Sequence, residues 1–117
     1  MLSEYTGKVY LAVGFTDLRR GIDSLAATVQ SQFELDPFAE GTLFLFCGRR
    51  RDRIKGLLWE GDGFLLLYKR LEAGTFQWPR TGQEALHLTA QQYRWLMEGL
   101  NIEQPKAHKQ ISGISII

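Results

Sequence analysis

Cysteine is almost missing: Cys47 stands alone among 117 residues. That excludes an internal disulfide and a cysteine-built metal site, and it fits a reducing cytoplasm. Histidine is nearly as scarce, and the two present, His87 and His108, lie far apart in the sequence. Long apolar runs are absent too. Nothing approaches the ~20 residues that cross a bilayer, so no transmembrane helix is expected. The opening residues (MLSEY) lack a basic start and an apolar core, so no secretory signal is read there. Asp17, Asp23, Asp36, Asp52 and Asp62 are scattered and are explained more simply as caps, solvated faces or turns than as a metal site. Gly61-Asp62-Gly63 lacks the Lys-Ser/Thr of a phosphate-binding loop. Catalysis therefore has little to stand on, and the expectation is a protein that is not an enzyme, with no cofactor and no metal.

Ordinary globular material is present, with 44% hydrophobic and 23% charged residues. A β-branched and aromatic run over 9–13 predicts a first strand. Leu18, Ile22, Leu25, Ala26, Val29 and Phe33 recur at helical spacing and predict an amphipathic helix over 17–33. In that reading Thr16 is the N-cap and Asp17 lies in the first turn. Gly21 then falls inside the helix, at a cost of ~1 kcal/mol relative to Ala. Residues 42–47 (TLFLFC) are apolar on both faces and predict an inner strand. Further strands are expected at 53–60, 64–71, 75–78 and 85–88. Thr89 and Gln92 have capping-box spacing and open a second helix, with Leu88 and Tyr93 as a hydrophobic staple. The fold class is α+β: an antiparallel β-meander of four to five strands, open or curled into a half-barrel, with two amphipathic helices. One domain is expected over 1–102. Residues 103–117 read as a flexible tail unless a partner or the sheet edge holds 114–117.

The charges nearly cancel overall, at net +1, but they are not evenly spread. Between Gly48 and Lys55 stand five cations (Arg49, Arg50, Arg51, Arg53, Lys55) against Asp52 alone. If Gly61-Asp62-Gly63 closes a hairpin symmetric about Asp62, opposed residue numbers add to 124 and Lys55 faces Lys69. Like charges directly opposed are destabilising, and a polyanion would turn that repulsion into attraction. Trp59 or Phe64 offers a stacking surface where exposed. The bland alternative is a solvated basic hairpin tip, because long side chains splay and salt screens them. A second feature is apolar surplus. Two short helices cover one sheet face, and the other face then needs a lid, a second copy or a partner.

Several strings share one pattern: 11–23 (LAVGFTDLRRGID), 36–38 (DPF), 43–55 (LFLFCGRRRDRIK), 59–64 (WEGDGF), 69–72 (KRLE), 76–79 (FQWP) and 98–100 (EGL). In order and spacing they resemble the TnpB-type accessory proteins, the second-reading-frame products of the bacterial insertion-sequence group numbered sixty-six. The resemblance runs from about Val9 to Asn101. It implies an accessory factor for DNA transposition, encoded beside a separate DDE-type transposase, and it supplies no catalytic residues. The family's basic motif falls on residues 48–55, and its Thr-Asp-Met-Arg-Lys-Gly segment falls on residues 16–21. Leu18 and Arg20 replace the usual Met and Lys, and Glu60 replaces a usual Asp. Gly56 stands where a β-branched residue is usual, which would weaken its strand or mark a bulge. Asn101-Ile102 replaces a common Asp-Trp.

The expected function is cytoplasmic and non-catalytic: binding of DNA, or of a DNA–transposase complex. Arg49, Arg50, Arg51, Arg53, Lys55, Lys69 and Arg70 would contact phosphates, joined by Arg19 and Arg20. The alternative is a module that docks on the transposase, or on itself as a homo-oligomer, through an apolar sheet face without touching DNA.

Overall fold

The computed structural model describes residues 1–106. A short 3-10 helix (Leu2–Glu4) leads into β1 (Lys8–Ala12), then α1 (Ile22–Ser31), β2 (Thr42–Cys47), β3 (Arg53–Trp59), β4 (Phe64–Arg70), β5 (Ala85–Leu88) and α2 (Ala90–Met97). The strands form one sheet in the order β4-β3-β2-β1-β5, not closed into a barrel. The fold class is α+β and the sheet mostly antiparallel. The exception is β1 beside β2, which run parallel because α1 carries the chain back between them. The part of the expected tail beyond residue 106 lies outside the described residues.

β2 is central and every one of its residues is buried, as a strand apolar on both faces requires. Phe44 and Phe46 point with Ala12 and Leu57 toward Leu25 and Val29 of α1. Leu43, Leu45 and Cys47 point the other way, to Phe76, Trp78, Tyr93, Leu96 and Ile102. The helices thus lie on opposite faces. This corrects the expectation that both cover one face and leave the other bare. The wrap of residues 71–79 and Ile102 completes the second layer.

α1 starts five residues later than its apolar stripe suggests. Asp17 accepts the backbone N–H of Arg19 at 3.0 Å, a local turn that competes with helix. The Thr16 N–H donates to the Cys47 carbonyl instead. Gly21 is therefore the N-cap rather than an interior residue, and the interior glycine cost does not arise. α2 begins as expected. The Gln92 N–H donates to Thr89 Oγ1, the Thr89 N–H donates to the Gln92 side chain, and Leu88 and Tyr93 are both buried.

Residues 75–78 are not a strand. The Phe76 N–H reaches the Arg51 carbonyl at 2.7 Å, and the buried Trp78 indole donates to the Ala12 carbonyl at 2.8 Å. These single bonds dock the segment by its large side chains, and the free edge of β1 is taken by β5. Gly56 pairs regularly with Leu45 and Leu67, without a bulge. A Cβ there would stand 3.1 Å from Leu43 Cδ1 and 3.4 Å from Leu45 Cδ2, so leucines fill the space a β-branched residue would need.

The β3–β4 turn corrects the expected register. Glu60 pairs with Gly63 rather than Phe64, and Gly61 takes φ 90° at the first central position of a two-residue loop. Trp59 then opposes Phe64, and Lys55 opposes Tyr68 rather than Lys69. The slip of one residue sends Lys69 to the other face, beside Ile54.

Candidate nucleic-acid interface

Gly48 and Leu18 bring two basic segments together. Gly48 is buried, and a Cβ there would lie 3.1 Å from Leu18 Cδ1. The missing side chain lets the 15–19 turn settle on the end of β2. The loop from Arg49 to Asp52 is compact. The Gly48 N–H donates to the Arg53 carbonyl, and the Arg51 N–H returns to the Gly48 carbonyl. Arg51 takes φ 61° to close it. Behind it, the Asp52 carbonyl accepts from Leu71 at 2.6 Å, beside the Phe76–Arg51 bond. A loop tied at this many points holds its outward side chains over a rigid base.

Between these segments lies a cleft of about 940 Å³, lined by Phe15, Thr16, Asp17, Leu18, Arg19, Gly48, Arg49, Arg50, Arg53, Lys55, Leu66 and Tyr68. Five of the nine sequence candidates line it: Arg19, Arg49, Arg50, Arg53 and Lys55. Arg49 and Arg50 are exposed at the loop tip. Lys55 reaches the floor and donates from Nζ to the Arg20 carbonyl at 3.0 Å. Among the described residues, no carboxylate pairs with Arg49, Arg50 or Lys55.

The other two cations of the cleft carry partners. Arg19 clamps Asp17 at 2.7 Å. That guanidinium holds the Asp17 carboxyl down at about 2. Arg53 pairs with Asp52 at 3.0 Å, and its hydrogen bond lowers the Asp52 carboxyl. The Arg19 pair lies in solvent, where such a bridge contributes little, and the Arg53 pair is half-buried. Five cations thus share one concavity with the single carboxylate of Asp17, with Asp52 behind Arg53.

The remaining four candidates stand elsewhere. Arg20 folds back to Ser24 and Thr28, with its Nε 2.7 Å from Ser24 Oγ. Arg51 closes its loop with φ 61° and does not line the cleft. Lys69 is on the opposite face. Arg70 opposes Arg53 across the hairpin but pairs with Glu72 at 3.0 Å. The opposed like charges are therefore arginines rather than lysines, and each has its own carboxylate. That compensation removes the opposed pair as an argument for an anion, which now rests on the cleft.

Sequence reasoning missed Phe15 and Tyr68 of the lining. Both are exposed, at 38% and 55%. The signal available for Tyr68 was its alternation with Arg70 on an edge strand. Trp59 and Phe64, expected as stacking surfaces, instead pack edge-on at 4.9 Å, with Phe38 set against both rings. Cys47 is buried, which pushes its thiol up to about 12, so no thiolate forms at neutral pH. His87 stacks on Tyr10 at 4.7 Å, and His108 lies outside the described residues. Among the described residues no group of three His, Cys, Asp or Glu could hold a metal ion, and no helix is long and apolar enough to cross a membrane.

A smaller apolar depression on the other face, of about 520 Å³, is lined by Met1, Leu2, Tyr5, Leu43, Leu58, Leu67, Tyr68 and Lys69. It borders β4, which pairs only with β3 and leaves its outer edge open among the described residues.

Two curated relatives come from Sinorhizobium fredii. The uncharacterized protein y4hO is 36% identical over 99 residues, 85% of each chain. The uncharacterized protein y4jC is 35% identical over 94 residues, 80% of each chain. No solved structure matches at a significant level. The family described as IS66 Orf2-like proteins matches residues 7–107, a span that takes in the whole sheet, both helices and the basic cleft. By that match the chain belongs to the IS66 Orf2-like family, accessory proteins of the IS66 transposition machinery.

Proposed function

We propose that the chain serves transposition by binding DNA through the cleft between its 15–19 and 48–50 segments, without catalysing a reaction. The observation that carries this is the convergence of Arg19, Arg49, Arg50, Arg53 and Lys55 on one concave surface. Cations gathered on a rigid base attract a polyanion and release its counterions. Nothing in the fold needs Arg49 and Arg50 at the loop tip, where they make no hydrogen bond within the chain among the described residues. Arg20, Arg51, Lys69 and Arg70 are assigned no direct phosphate contact. The DNA is that of the element, and the DDE-type transposase of the same element is the protein expected beside it, in the cytoplasm.

The second reading is docking on the transposase, or on a second copy of the chain. The open β4 edge and the apolar depression beside it favour it. The variant Arg50→Glu/Arg53→Glu separates the two. Loss of DNA binding with transposase capture intact supports the cleft. Unchanged DNA binding in that variant counts against the cleft, and loss of capture on charging the depression, as in Leu2→Glu, supports the docking reading.

A further inference from the structure

We propose that the cleft receives an unpaired DNA strand, with bases on Phe15 and Tyr68 and phosphates on the surrounding cations. This rests on the DNA-binding reading above. A surface that touches only phosphates on the outside of a duplex has no use for apolar rings between its cations. Here two exposed aromatic rings and the side chains of Leu18 and Leu66 share the lining with Arg19, Arg49, Arg50, Arg53 and Lys55.

Their exposure is not loose packing. Phe15 sits between two fixed points: the Gly14 N–H donates to the Pro79 carbonyl at 2.9 Å, and the Thr16 N–H to the Cys47 carbonyl at 2.8 Å. Gly14 takes φ 82° to make that path. Tyr68 lies inside β4, directly opposite Lys55. Both backbones are held while both rings stay at the surface.

The shape agrees. A volume of about 940 Å³ is at the upper end of the ~300–1,000 Å³ of pockets that enclose small ligands. A concavity of that size suits a few nucleotides, whereas a duplex offers a convex outside and keeps its bases stacked within. Cations along the backbone path and aromatic faces beneath the bases are what single-strand recognition requires, and every base has such a face, so sequence need not be read. Unpaired strand arises wherever a duplex end frays or a strand is displaced, and an accessory factor of this design would hold it.

Fluorescence anisotropy with three labelled probes of equal length tests this: a single strand, its duplex, and a single strand of abasic sites. At matched salt the single strand is expected to bind at least about tenfold tighter than the duplex. The abasic strand is expected to lose about tenfold, because base stacking on the rings is gone. Phe15→Ala/Tyr68→Ala should erase the preference while keeping the abasic affinity, and Tyr68→Trp should preserve it. Equal or tighter binding of the duplex, or full affinity for the abasic strand, overturns the proposal and leaves the DNA reading standing. Failure to bind any probe overturns both. The wild-type comparison decides even if the double variant does not fold.

Discussion

At the scale of single residues, the cleft divides cations that are free from cations that are spoken for. Arg49 and Arg50 project from the loop tip with no carboxylate partner among the described residues. Lys69 belongs to the opposite face. Arg49→Glu is therefore expected to weaken DNA binding at least tenfold in an anisotropy titration, and Lys69→Glu to change it less than twofold. Equal losses would mean that overall charge, not the cleft, drives binding. Buried acidic groups contribute to the loss of stability at high pH, and the most raised are Cys47 and Tyr93. Burial pushes Cys47 and Tyr93 up to about 12 from 9.0 and 10.0. Both are raised in the folded state, so their contribution is fully present below about pH 9 and is lost as pH rises toward 12. The melting temperature should hold to about pH 9 and fall beyond it. The variant Cys47→Ala/Tyr93→Phe should flatten that fall, although it starts from a lower stability because the Tyr93 hydroxyl no longer donates to the Leu2 carbonyl.

At the scale of elements, most strands were legible because alternation and apolar runs report burial directly. The boundaries of β2 and β5 match their expected runs, and the capping box of α2 is present. What failed depended on one local competition each. Asp17 captures Arg19 and delays α1. The two-residue turn at Gly61-Asp62, rather than a loop centred on Asp62, shifts every β3–β4 pair by one. Residues 75–78 have a strand's composition but dock by single bonds at Phe76 and Trp78 instead of joining a sheet edge. Gly56 illustrates packing that composition cannot report, because its missing side chain is compensated by Leu43, Leu45 and Leu67. Gly56→Val is expected to overpack that layer and cost ~1–3 kcal/mol in denaturant unfolding. A stabilising effect would show that the leucines give way freely.

At the scale of the whole molecule, the cleft is a product of topology. The parallel β1–α1–β2 crossover sets the 15–19 turn against the end of β2, where the Thr16 N–H meets the Cys47 carbonyl. The adjoining β2–β3 loop then supplies Arg49 and Arg50 to the same surface. The basic run itself was plain in the sequence. Its convergence with Arg19, thirty residues earlier, was not, because it depends on Leu18 settling over Gly48 where a side chain would stand. The same topology places one helix on each sheet face. Neither face is left wholly bare, and among the described residues the β4 edge and the depression beside it remain open.

The most direct measurement is the salt dependence of DNA affinity for the intact chain. With about four phosphates engaged, log K should fall against log salt with a slope of about −2.8 for a single strand and about −3.6 for a duplex, at about 0.7 and 0.9 per phosphate. Arg49→Glu/Arg50→Glu should flatten that slope. A chain that binds no DNA at low salt, or whose slope is unchanged in that variant, would contradict the account.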